Sequence, residues 1–219
     1  MATNPNNPAD NVEQSDLYPN GKVREKYTQQ QGKLHGTVFS YAPTGELLRT
    51  AQFAQGALMG EAVTYNPDGS LAQKANFKEG KLDGELLTFL KGKPNMKALY
   101  KEGKQEGETL FYDATGAVVA KAAYKGGKLN GLSSWFGPGS QVVKTSVYRD
   151  GLLNGETIEY FLNGKPRMTA VYKDDLLDGE VKTFTDDGKL KQTQHYQNGK
   201  PVPPPKQPPG QNPPGSVKK

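Results

Sequence analysis

With 219 residues, 34% of them hydrophobic, and a mean hydropathy of −0.76, the chain is too lean for a thick two-layer interior, and it has no cysteine for a disulfide framework or a thiolate metal site. The formal charge of +5 is concentrated at the C-terminus: residues 201–219 carry Lys206, Lys218 and Lys219 and no acid, leaving 25 basic against 23 acidic groups elsewhere. That near balance offers no electrostatic footprint for a phosphate backbone, so nucleic acid is not an expected partner.

Residues 1–14 are polar and rich in Asn and Pro, with nothing to bury. They read as a disordered lead-in. They lack the basic start and apolar core of a secretory signal, and nowhere do 18 apolar residues run together. The expectation is a soluble chain that stays in the cytoplasm.

Residues 15–200 repeat. The stretch Phe77-Lys78-Glu79-Gly80-Lys81-Leu82-Asp83-Gly84-Glu85 recurs with its first glycine at Gly32, Gly56, Gly80, Gly103, Gly127 and Gly151, Asp175 in that place, and Gly199 last. The spacings are 24, 24, 23, 24, 24, 24 and 24 residues, which marks a repeat array. Five residues after the second spine glycine stands an aromatic: Tyr41, Tyr65, Phe89, Tyr112, Phe136, Tyr160 and Phe184. A second set, Phe53, Phe77, Tyr100, Tyr124, Tyr148, Tyr172 and Tyr196, precedes the first spine position by three. Short runs of this kind bounded by Gly, Pro, Asn and Asp are hairpins.

The turns can be typed. Glu79-Gly80 reads as a two-residue turn that sets Phe77 opposite Leu82, and Asn66-Pro67-Asp68-Gly69-Ser70 as a longer loop that sets Tyr65 opposite Leu71. Alternation then puts Leu71, Gln73, Ala75 and Phe77 on one face, and Lys74, Asn76, Lys78 and Thr64 on a solvated one. Leu82 and Phe89 are seven apart, so burying both on one face requires a bulge, with Gly84 its expected seat. The fold class is all-β: an elongated, twisted, single-layer antiparallel β-meander of tandem hairpin repeats. Residues 201–219 form a Pro-rich basic tail, expected to be disordered.

This unit, in copies such as Phe77–Glu85 and Tyr148–Glu156, resembles the MORN-repeat variant of YwqK-type proteins. The resemblance implies a bacterial antitoxin- or immunity-like protein with a protein toxin as partner. MORN arrays more widely imply membrane association or scaffolding, which is the alternative. Neither brings catalytic residues or a cofactor, and the chain is expected to be no enzyme. His35 and His195 stand at opposite ends of the array, too far apart for one metal or one dyad.

The departures from the repeat are the candidate site. The residue before each Phe77-type aromatic reads Gln52, Asn76, Leu99, Ala123, Val147, Val171 and His195, turning apolar in the central units. Phe111 and Trp135 replace Thr64, Thr88 and Thr183, and Leu132 replaces the usual glutamate of Glu61, Glu85, Glu108, Glu156 and Glu180. The loop Phe136-Gly137-Pro138-Gly139 reads as one residue short. Trp135, Phe111, Leu132, Val147, Val171 and Leu99 are therefore expected to aim apolar side chains at a wet face. Two readings stay open: a protein-binding hot spot, or a second small core formed where the sheet curls.

Overall fold

A computed structural model describes residues 11–205 of the chain. The strands are β1 (Asn11–Leu17), β2 (Val23–Gln30), β3 (Lys33–Leu34), β4 (Gly36–Tyr41), β5 (Leu47–Ala54), β6 (Ala57–Tyr65) and β7 (Leu71–Lys78). They continue as β8 (Lys81–Leu90), β9 (Lys93–Lys101), β10 (Lys104–Gln105), β11 (Gly107–Tyr112), β12 (Val118–Lys125) and β13 (Lys128–Phe136). The last are β14 (Val142–Arg149), β15 (Leu152–Tyr160), β16 (Pro166–Lys173), β17 (Leu176–Phe184), β18 (Leu190–Gln197) and β19 (Lys200–Val202). All nineteen belong to one antiparallel sheet, and each follows its predecessor in space as in sequence. β3 and β4 are halves of one strand against β2, as β10 and β11 are against β9. At about 4.8 Å per strand the meander extends on the order of 80 Å.

The array begins at Asn11 rather than at residue 15, and its last strand takes in Pro201 and Val202. Residues 1–10 of the lead-in and 206–219 of the tail lie outside the described residues. Pro201 pairs with Tyr196 at the far edge, where its missing N–H costs the ladder nothing.

Both turn types form as their residues dictate. Glu79 and Gly80 both take left-handed dihedrals, φ 50° and 79°, and Phe77 pairs with Leu82. In the longer loop Asn66 N–H donates to Ser70 and Gly69 N–H to Asn66, and Tyr65 pairs with Leu71. The loop after Phe136 is full length, with Gly137 N–H on Gln141. The short loop is instead Leu90–Lys93, a two-residue turn through Lys91 (φ 51°) and Gly92 (φ 75°), and it accounts for the single 23-residue interval.

Successive turns are stitched together. The N–H of Gly80 donates to Leu58 O at 2.9 Å, Gly103 to Leu82, Gly127 to Gln105, Gly151 to Leu129, Asp175 to Leu153 and Gly199 to Leu177, all one repeat back. The acid before the second spine glycine adds a side-chain link: Asp83 accepts from Glu102 N–H at 3.1 Å, Glu106 from Gly126 at 2.8 Å and Asp178 from Asn198 at 3.2 Å. Along the other edge Lys93 donates to Ala114 O and Lys165 to Asp187 O. Each such bond contributes about 0.5–1.5 kcal/mol net, so neighbouring repeats hold one another.

One row of direct cross-strand partners runs through the middle of the sheet: Val38, Ala51, Ala62, Ala75, Leu86 and Ala98, then Thr109, Ala122, Ser133, Ser146, Thr157 and Ala170. Apart from Val63 on the opposite face, these are the buried residues, with Ala98 and Thr109 at 0% exposure. In a single layer only neighbouring side chains of the same face can cover them, and small residues let the larger flanking ones close over the row. Beside it the aromatics of the Phe77 set pair with a spine glycine on one strand and a leucine on the other, as Phe77 does with Gly60 and Leu82, except that Tyr100 meets Gln105 and Tyr196 meets Pro201 in the leucine place.

The two aromatic sets lie on opposite faces, which corrects the one-sided sheet expected from the sequence. Ala75 pairs with Leu86 and Phe77 with Leu82, so Asp83, Gly84 and Glu85 together stand against Asn76 alone. A bulge does sit at Gly84, but it inserts two residues and leaves parity unchanged. Leu82 faces with Phe77, whereas Phe89 turns to the other side. A one-residue bulge at Ala72 also moves Leu71 to the face of Tyr65, away from Gln73, Ala75 and Phe77.

Candidate protein-binding surface

Trp135 and Phe111 lie on the face of the small-residue row, not on the face of Lys74 and Asn76. Their strands β13 and β11 flank β12, and both aromatics pair with Ala120. The methyl of Ala120 leaves a shallow notch between two large rings. Met96 is the next partner beyond Phe111, and Lys144 beyond Trp135. The Lys144 Nζ stands 5.4 Å from the Trp135 ring centroid, a cation–π distance. Lys144 thus belongs to a different row from Lys74, Lys97 and Lys121. Trp135 and Phe111 are half-buried. Beneath them the central row carries hydroxyls: Gln105 Nε2 donates to Thr109 Oγ1 at 2.6 Å and Thr157 Oγ1 to Ser146 Oγ at 3.0 Å. Ser133 Oγ is buried without a hydrogen-bond partner among the described residues.

Leu132, Val147, Val171 and Leu99 lie on the opposite face. Leu132 pairs with Val147, Glu156 with Val171 and Glu85 with Leu99. Leu132 is 55% exposed, Leu99 44% and Val171 38%. The structure therefore divides the six expected site residues into two sets that share strand β13 but not a face. It also gives the apolar side chains of the second set a packing role. A Cβ on Gly155 would come within 3.0 Å of Val147 Cβ, and one on Gly179 within 2.9 Å of Val171 Cβ. These valines sit in the space that the bulge glycines vacate. Leu132 has no such role, since nothing in the repeat needs an apolar residue there.

Around this second set runs a ladder of ion pairs. Glu85 meets Lys97 at 2.5 Å, Glu108 meets Lys121 at 3.8 Å, and Glu180 meets Lys182 with His195 at 3.8 Å. The Lys97 ammonium is held above its usual range by the hydrogen bond it donates to Glu85, and the Glu180 carboxyl below its own by the one it accepts from Lys182. The sequence reading missed Met96, Ala120 and Lys144 on one face and Glu156 on the other. Their relevance shows only once the register is fixed. Among the described residues no group of three or more His, Asp or Glu could hold a metal, and no helix is long and apolar enough to cross a membrane.

A family model, the MORN repeat variant, matches residues 60–79, 153–174 and 177–198. Each match runs from a spine bulge through the longer loop to the next tight turn. No curated protein sequence matches the chain. Among solved structures, a TcdB2-TccC3-Cdc42 complex is 12% identical over 87% of this chain and 13% of that one, with a TM-score of 0.25. A Photorhabdus luminescens Tc holotoxin pore is 12% identical over 86% of this chain and 12% of that one, with a TM-score of 0.17. The chain thus spans about an eighth of the length of these structural neighbours. At three places along its sheet, this chain carries repeats of the MORN variant.

Proposed function

We propose that the chain is a protein-binding repeat array whose central repeats contact the partner. The observation that carries this reading is the convergence of Phe111, Trp135, Leu132 and Val147 on strands β11–β14. Among the described residues no second layer covers either face of that region. Sheet repeats with a regular outline and a locally altered centre supply a long scaffold with a defined contact point. The finer reading, an antitoxin or immunity protein that blocks a toxin by occupying its surface, rests on the resemblance of the repeats.

Capture from the native cell with the tagged full chain tests the first reading. A stoichiometric protein is expected, and Trp135→Ala with Phe111→Ala, or Leu132→Glu alone, should weaken its binding by about tenfold or more. Thr183→Ala, the position equivalent to Trp135 in a terminal repeat, should leave it unchanged, and all variants should keep the β circular-dichroism signal. Collapse of that signal in the aromatic double variant would assign those rings to the core instead. For the finer reading, the captured protein expressed alone should arrest growth and this chain should relieve the arrest.

A further inference from the structure

We propose that the surface centred on Leu132 and Glu156 docks an aliphatic segment of the partner that carries a lysine or arginine. This rests on the protein-binding reading and adds which face is used and what chemistry fits it. The argument starts from the broken ion-pair ladder. Glu85, Glu108 and Glu180 are each matched by a lysine of the same face. In the central repeats Thr145 and Thr169 stand where Lys74, Lys97 and Lys121 stand before them. Glu156 is exposed and has no ion-pair partner among the described residues.

Glu61 also lacks an ion-pair partner, but it pairs with the polar Asn76. Glu156 instead lies between Val147 and Val171, and one strand further on is Leu132, 55% exposed. Of the glutamate positions in the spine, this repeat alone exchanges the charge for an apolar side chain among Glu61, Glu85, Glu108, Glu156 and Glu180. An exposed leucine, a valine partner and an unmatched carboxylate are complementary to one kind of ligand, an apolar side chain with a cation beside it. Leu132 on β13 and Glu156 on β15 are two strands, about 10 Å, apart. An extended segment crossing the strands covers that in about three residues at about 3.3 Å each. The expected pattern is therefore an aliphatic residue followed or preceded by Lys or Arg three positions away.

The test is selection of a random twelve-residue peptide library on the full chain, with affinities of the selected peptides measured by fluorescence polarisation. Enriched peptides should pair an aliphatic residue with Lys or Arg two to four positions away. Leu132→Glu restores the residue that the other repeats carry, so it should fold, and it should weaken these peptides by about tenfold. Glu156→Lys should weaken them several-fold and should restore binding of a peptide whose basic residue is changed to Glu, while Thr183→Ala should have no effect. Enrichment of acidic peptides, or indifference to Leu132→Glu, overturns the assignment. If selected peptides depend on Trp135 and not on Leu132, the chain still binds protein but through its other face. If no peptide is enriched and no partner is captured from the cell, both the assignment and the protein-binding reading fall.

Discussion

At the scale of single residues, the second spine glycine is the position under most constraint. Gly179 has φ 138°, and a Cβ built there would meet Val171 Cβ at 2.9 Å. Gly69, at a loop tip with φ 82°, would meet nothing within 4 Å. Both substitutions to alanine place a side chain in left-handed backbone, at about 1–2 kcal/mol. Only Gly179→Ala adds a steric clash, so its total should reach about 2–4 kcal/mol in urea unfolding. Combining it with Val171→Ala should recover about 1 kcal/mol or more of that loss, whereas Gly69→Ala with Val171→Ala should be additive. An additive result for the first pair would show that backbone strain, not the valine, sets the cost. Asp174 and Asp175 show how the chain tolerates a turn without its glycine. Both are left-handed, at φ 50° and 67°, and their carboxylates accept from Asn154 Nδ2 at 2.8 Å and from Leu153 N–H at 2.7 Å. Side-chain bonds to the preceding repeat offset the strain.

At the scale of elements, the hairpin loops use carboxylates as local staples. Asp68 accepts from the Ser70 hydroxyl and amide, Asp113 from those of Thr115, and Asp187 from Lys189 and Thr185. The Lys189 ammonium foremost, with the Thr185 hydroxyl, lowers the Asp187 carboxyl from 3.8 to about 2. A folded value below the unfolded one means that the contribution is complete above about pH 3.8 and disappears as pH falls through about 2. NMR titration should show Asp187 changing charge near the lower value, and Asp187→Asn should remove the loop's pH dependence in that window. A midpoint near 3.8 would mean that the staple is not formed in solution. These loops, the tight turns and the pairs Phe77–Leu82 and Tyr65–Leu71 were legible in the sequence because Gly, Pro and Asp fix the turn, and a turn fixes its nearest pair. The faces were not. Assigning them requires the number of residues in each bulge, and the spacing from Leu82 to Phe89 is the same whether Gly84 carries one extra residue or two. The expected union of Trp135 with Leu132 failed on that point, although their departure from the repeat was visible in the letters alone.

At the scale of the whole molecule, the array behaves as a one-dimensional stack, since each repeat bonds only to its neighbours through turn amides, spine acids and loop lysines. Stability should then be nearly a sum of repeat and interface contributions. Removing a whole repeat in phase should preserve the register, and the position of the removed repeat should decide the effect on binding. Deleting residues 57–80 joins Gly56 to Lys81, and deleting 128–151 joins Gly127 to Leu152; each removes 24 residues and leaves the spine continuous. Both proteins should fold with the β signal per residue unchanged and with similar unfolding midpoints. Deleting twelve residues from either place would bring Tyr65-type loops to the edge of the tight turns and should abolish the cooperative transition. The first deletion keeps Phe111, Trp135, Leu132 and Glu156 together and should retain partner capture, whereas the second removes Leu132 and Trp135 at once and should lose it. Equal loss from both would mean that the partner reads the length of the array rather than its centre, and equal retention would place the contact at the terminal repeats.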